Sequence, residues 1–177
     1  MKSKKLFKVL FIIFSVGIAS SISLIGGLGI EAVQHDLVKI IPLLIALPAL
    51  NSLVGDYATL IAAHAGDPTE RGRSKWELVR AMLPSVATST LLILGLSTVL
   101  GFQRGYHFTA SFLATYVMFV VCAIISVITV MFILTLILDA LLKKQKLNPD
   151  DILIPIVTTI SDIFMLGLIA LAVKFIF

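Results

Sequence analysis

Two aspartates stand inside apolar runs long enough to cross a bilayer. Asp162 lies near the middle of the run Ile152 to Phe177, and Asp56 lies deep in another, beside Gly55 and downstream of Pro48. A carboxylate at mid-bilayer depth costs roughly 3 kcal/mol or more on insertion scales, so each marks a functional site by default. Oxygen dominates their surroundings. Pro155, Thr158, Thr159 and Asp162 follow spacings of three, four and seven, which on a helix sets hydroxyls and carboxylate along one face. Near Asp56, Pro48 lacks a backbone donor and frees the carbonyl four residues earlier, and Gly55 allows a bend or a close approach. The backbone from Asn51 to Gly55 can add further oxygens. Oxygen-only sites suit hard cations. Mg²⁺ keeps several waters and takes one or two carboxylates, whereas Zn²⁺ calls for His or Cys at ligand spacing. The 3 His and 1 Cys of this chain form no such cluster.

Composition sets the class. The chain has 177 residues, of which 59% are hydrophobic and 14% charged, with a mean hydropathy of +1.09. Soluble domains run to about 45–50% apolar and about 25% charged, so the expected fold is an all-α polytopic membrane protein. The longest polar stretch, from about His64 to Arg80, is too short for a domain, which leaves one membrane domain over 1–177. No soluble nucleotide-hydrolysing module fits. The single Cys122 can form no internal disulfide. Intramembrane enzymes are disfavoured: there is no Gly-x-Ser-x-Gly elbow, no His-Glu-x-x-His pair and no dense aspartate motif on one helix.

Five spans are expected, at about 6–30, 38–64, 82–101, 108–141 and 151–177, with the second broken around its prolines. The lysine-rich start resembles a signal peptide, but its apolar run is too long for an h-region. The net charge of +4 reports topology rather than nucleic acid. Lys2, Lys4, Lys5 and Lys8 precede the first span; Arg71, Arg73, Lys75 and Arg80 follow the second; Lys143, Lys144 and Lys146 follow the fourth. By the positive-inside rule the N-terminus is cytoplasmic and the C-terminus outside. Depth arithmetic then aligns the acids. Asp56 is nine residues before Ala65 and Asp162 eleven after Asp151, which at ~1.5 Å per residue gives about 14 and about 16 Å. Both values lie near the bilayer midplane.

Two windows resemble MgtE-type magnesium transporters, above all their solute-carrier relatives. Pro48-Ala-Leu-Asn-Ser-Leu-Val-Gly-Asp-Tyr-Ala-Thr, running on to Gly66, is similar to that family's second-span Gly-Asn segment. Leu147-Asn-Pro-Asp-Asp-Ile-Leu-Ile-Pro-Ile-Val-Thr-Thr-Ile-Ser-Asp resembles its fifth-span signature of Asp-Pro, Pro, Thr and a pore-lining Asp. The resemblance implies a homodimer, or two fused copies, with the second and fifth helices around a pathway for hydrated Mg²⁺; Mn²⁺, Co²⁺ or another divalent cation is an alternative cargo. Asp162 matches the pore aspartate, and Asp56 stands where the family has asparagine, which adds negative charge. Asn148 replaces the aspartate before proline, so that role is not carried over. The family's soluble regulatory domains have no counterpart here, and gating falls to the membrane domain or another chain.

The expected cation ligands are therefore Asp162, Asp56, Thr158, Thr159, Asn51 and Gly55, with Asp139 and Asp151 as ion-entry residues and no catalytic residue or cofactor. The acids and the threonines have structural alternatives. The two buried acids can be hydrogen-bonding groups between helices, and the threonines can bond backbone carbonyls. Asp139 can pair with Lys143 one turn on, and Asn148 to Asp151 can simply start a helix. Glu31, His35 and Asp36 read as solvated outer-loop residues, His64 and Trp76 as interfacial, and Gly17, Gly26, Gly27 and Gly29 as close helix packing. Converging carboxylates repel, which leaves a Na⁺- or H⁺-coupled exchanger open beside a channel. A non-transporting membrane assembly protein is the third reading.

Overall fold

A computed structural model of the chain describes residues 13, 17, 21, 22, 24, 26–66, 75–144 and 150–177. The first helix, α1, is helical at every described residue up to 37. Four more follow: α2 Ile41–Gly66, α3 Lys75–Gln103, α4 Ala110–Lys144 and α5 Asp150–Phe175. No strand occurs among the described residues. Helices are what such a sequence must form in lipid, where every backbone N–H and C=O needs a partner within its own segment. Helices α2 to α5 each contain a window long and apolar enough to span a membrane. The expected first span at 6–30 lies largely outside the described residues, as do Asn148 and Pro149 of the expected helix start.

The helix bounds depart from expectation at two places. Helix α3 begins at Lys75 rather than near 82, and α1 runs on to residue 37. Glu31, His35 and Asp36 thus ride exposed on the last turns of α1 rather than in a loop. The turn into α2 is tight. Lys39 Nζ donates to Asp36 Oδ1 at 2.7 Å, and this bond, with His35 alongside, holds the Asp36 carboxyl below the usual carboxylate range.

The second helix is not broken. It runs unbroken from Ile41 to Gly66 with Pro48 inside it. Proline forfeits one hydrogen bond and crowds the carbonyl of Leu44. Unwinding a turn would strand several backbone groups in lipid at several kcal/mol each, so one lost bond is the cheaper solution. Ala46, Leu50 and Val54, all buried on either side of the proline, pack the helix against its neighbours through it.

The central pair is α2 with α5, which share the largest helix–helix contact, and α4 packs across both. Residues recurring every three or four positions build the seam. On α5 these are Leu153, Val157, Ser161, Met165 and Ile169; on α4 they include Tyr116, Val120, Ile124, Val127 and Met131. Helix α3 stays peripheral, its span 17% buried against 33% for the other three. Its attachments are polar as well as apolar. Tyr57 Oη donates to Ser85 Oγ at 2.7 Å, while Ser97 Oγ and the buried Tyr116 Oη meet at 2.7 Å, and Tyr116 also reaches the Pro42 carbonyl at 3.4 Å.

Two glycines set the end of the bundle where α3 turns into α4. Gly105, with φ +79°, closes α3 by donating to Phe102 O at 3.0 Å, while Tyr106 N donates to Gly101 O at 3.0 Å, a Schellman arrangement. Thr109 then caps α4 through Phe112 N at 3.2 Å. Gly105→Ala forces a side chain into the left-handed region and is expected to cost about 1–2 kcal/mol. A thermal melt of the detergent-solubilised protein checks it, and Gly105→Asn should recover much of the loss. Gly101 is packed rather than strained: a Cβ there would stand 3.1 Å from both Phe108 Cζ and Pro42 Cγ. Of the four glycines expected to pack closely near the start of the chain, only Gly26 does so, where a Cβ would meet Leu166 Cδ1 at 3.0 Å. Gly17, Gly27 and Gly29 face open space.

Candidate functional site

Asp162 stands in the groove between α5 and α2. Asn51 Nδ2 donates to its Oδ1 at 3.3 Å, and a Cβ added at Gly55 would sit 3.5 Å from the same oxygen. Asn51, Gly55 and Thr59 recur every four residues, so one line of α2 faces the carboxylate. The glycine is what lets the acid lie against the backbone of α2. Asp162, Asn51 and Gly55 are all half-buried, so the carboxylate is neither sealed in nor fully open. Asn51 has spent its amide on Asp162, yet its Oδ1 is buried with no hydrogen-bond partner. An unmet buried acceptor costs about 1–3 kcal/mol, which a water or a cation could offset.

The threonines turn their hydrogens inward. Thr158 Oγ1 donates to Ile154 O at 2.8 Å and Pro155 O at 3.2 Å, and Thr159 Oγ1 donates to Pro155 O at 2.7 Å. Ser161 and Thr59 also bond back, to Thr158 O at 2.7 Å and Gly55 O at 3.0 Å. Those hydroxyl oxygens keep lone pairs, as a hard cation or its waters would need, while their protons are committed.

Asp56 sits elsewhere on the helix. One residue on from Gly55 is about 100° around α2, and there Asp56 is exposed, with no hydrogen bond or ion pair among the described residues. Sequence depth alone set the two acids at one level; it could not show that Asp56 lies off the line of α2 that faces Asp162. Asp139 is buried on the inner face of α4. The side chain of Asp151 lies outside the described residues, as do those of Lys143 and Trp76. Among the described residues no three His, Cys, Asp or Glu stand together.

Sequence reasoning missed the direct Asn51–Asp162 bond and the Ser97–Tyr116 pair. A tyrosine amid apolar residues does give a signal, since a buried phenol needs a partner, but which partner depends on how the helices pack.

The family of MgtE divalent cation transporters matches residues 47–172, a stretch that runs from α2 into α5 and contains both Asp56 and Asp162. The chain belongs to that family. Comparison with curated proteins and with solved structures gave no match. Family membership and the four long apolar helices make this MgtE member a multi-pass membrane protein of a transporter rather than an enzyme family, as the motifs around Pro48 and Pro155 led us to expect.

Proposed function

We propose that the chain transports Mg²⁺ across the membrane as a homodimer, through a pathway lined by α2 and α5. Asp162 is the principal ligand and acts largely through the ion's own waters. Asn51 and Gly55 shape its site, Thr158 and Thr159 offer hydroxyl oxygens toward one end, and Asp56 adds charge to the pathway. Asp139 and Asp151 serve ion entry from the lysine- and arginine-rich end, which faces the cytoplasm under the positive-inside rule.

The observation that carries this reading is the Asn51–Gly55–Asp162 cradle, a half-buried carboxylate held by an amide at 3.3 Å over a glycine in mid-span. Such a group is expensive in lipid and fits a partly wetted ion path. The exposed Asp56 supports a second copy. A single chain would turn this acid toward hydrocarbon, whereas a symmetric partner laid on α2 encloses it.

The test is Mg²⁺ influx into proteoliposomes together with anomalous scattering from crystals soaked in Mn²⁺. A peak beside Asp162 and its symmetry mate is expected, with saturable influx that needs no second ion. Influx that runs only with an imposed Na⁺ or H⁺ gradient would replace the channel with an exchanger. No influx and no peak would remove the proposal. Asn51→Ala, which frees Asp162 Oδ1 from its amide, is expected to raise the half-saturating Mg²⁺ concentration about tenfold, equal to about 1.4 kcal/mol. The same influx assay reads it.

A further inference from the structure

We infer that Asp56 belongs to a second cation station, separate from the one at Asp162, built on the exposed stripe of α2. It rests on the homodimeric pathway proposed above and adds to it a distinct site of distinct composition. Leu44, Pro48, Ser52, Asp56 and Leu60 recur every four residues and are all exposed, so they form one line along the helix. Two side-chain oxygens stand one turn apart on that line, and a freed carbonyl lies more than two turns away. Pro48 has no N–H to offer the Leu44 carbonyl. The Ser52 hydroxyl, one turn from Asp56, has no hydrogen-bond partner among the described residues, unlike Thr59, Thr158 and Thr159, which bond back to carbonyls. The Asp56 carboxylate likewise has neither hydrogen bond nor ion pair within the described chain.

An acid at mid-span with no partner among the described residues calls for one from elsewhere, because a bare carboxylate in hydrocarbon is costly. The Asp162 cradle does not supply that partner. Asn51, Gly55 and Thr59 define the line that faces Asp162, and the line of Ser52 and Asp56 lies about 100° around the helix. Asp162 lies against the line of α2 that carries Gly55, whereas Asp56 stands on the exposed line beside it. The carboxylate and the hydroxyl one turn from it suit a hydrated divalent cation, with the matching stripe of the second copy completing the shell.

Mn²⁺ binding to the detergent-solubilised dimer, counted by electron paramagnetic resonance of the free ion, tests this. Two classes of bound Mn²⁺ are expected in the unaltered protein. Asp56→Asn should remove one class and leave the other. Ser52→Ala should weaken that same class about three- to tenfold, the worth of one polar contact. Asp162→Asn should remove the other class. If Asp56→Asn leaves both classes intact, the inference is wrong, and Asp56 is met by a proton or by the partner chain. If Asp56→Asn and Asp162→Asn each abolish all binding, the two acids share one ion and the inference is equally wrong. Loss of a class in Asp56→Asn with none lost in Asp162→Asn would overturn the proposed role of Asp162 while upholding the second station. Proper dimer elution of each variant on size exclusion, measured beforehand, separates these outcomes from misfolding.

Discussion

Asp162→Asn should reduce Mg²⁺ influx by about a hundredfold or more while leaving the helices and the dimer in place. The exchange keeps the shape of the side chain and its contact with Asn51, so packing in the α2–α5 groove changes little. It removes the negative charge at mid-span. A hydrated divalent ion crossing the low-dielectric centre then loses one opposite charge from each subunit. Forfeiting only about 3 kcal/mol of that interaction is a factor above a hundred, since about 1.4 kcal/mol is tenfold. Removing a half-buried charge also lifts part of a desolvation cost, so the variant should melt no lower than the parent protein. The pair of results is diagnostic: a purely structural acid hydrogen-bonded to Asn51 would lose stability and keep flux. Proteoliposome uptake and a detergent melt on the same preparation decide it.

How far the sequence alone reaches differs between fold and site. The apolar runs around Ile41–Gly66, Ala110–Lys144 and Asp150–Phe175 announce helices because lipid permits little else, and their bounds fall within a few residues of expectation. Pro48 misled because proline reads as a break in any local account, whereas the cost of unwinding is set by the surrounding bilayer and by Ala46, Leu50 and Val54. Helix α3 began early for a related reason. Lys75, Glu77 and Arg80 are polar enough to read as a loop, yet all three lie within α3, whose candidate span itself starts at Glu77.

The site was legible by residue type and by depth but not by direction. Asp162, Asn51 and Gly55 each stood out in the sequence, and the structure gathers them in one groove. What no spacing rule supplies is which line of α2 meets α5. That is decided by Leu50, Val54, Tyr57 and Ile61 filling the core beside it, and it is what separates Asp56 from Asp162. The threonines show the same limit. Their common face follows from spacing, while the commitment of their hydroxyl protons to Ile154 and Pro155 carbonyls follows from backbone geometry around the proline.

The second large effect concerns the smallest residue in the groove. Gly55→Ala should retain most of the Mg²⁺ flux, and Gly55→Leu should abolish it. A Cβ at this position would stand 3.5 Å from Asp162 Oδ1, an ordinary van der Waals separation, and no other group lies within 4 Å of it. Alanine therefore fits, and its better helix propensity offsets the crowding, so stability should hold or rise by up to about 1 kcal/mol. A leucine must send its remaining carbons beyond that Cβ, either into the carboxylate or into the half-open space beside it. Either way an apolar group stands where the ion's waters would sit and strips hydration from Asp162. A charged group so crowded binds a hydrated cation poorly, and losses beyond about a hundredfold in influx follow from the same tenfold-per-1.4 kcal/mol conversion. Graded uptake across Gly55→Ala, Gly55→Val and Gly55→Leu, with the dimer intact throughout, is the expected pattern. Full flux in Gly55→Leu would mean that cations pass without approaching this groove, and the role given to the Asn51–Gly55–Asp162 cradle would have to be abandoned.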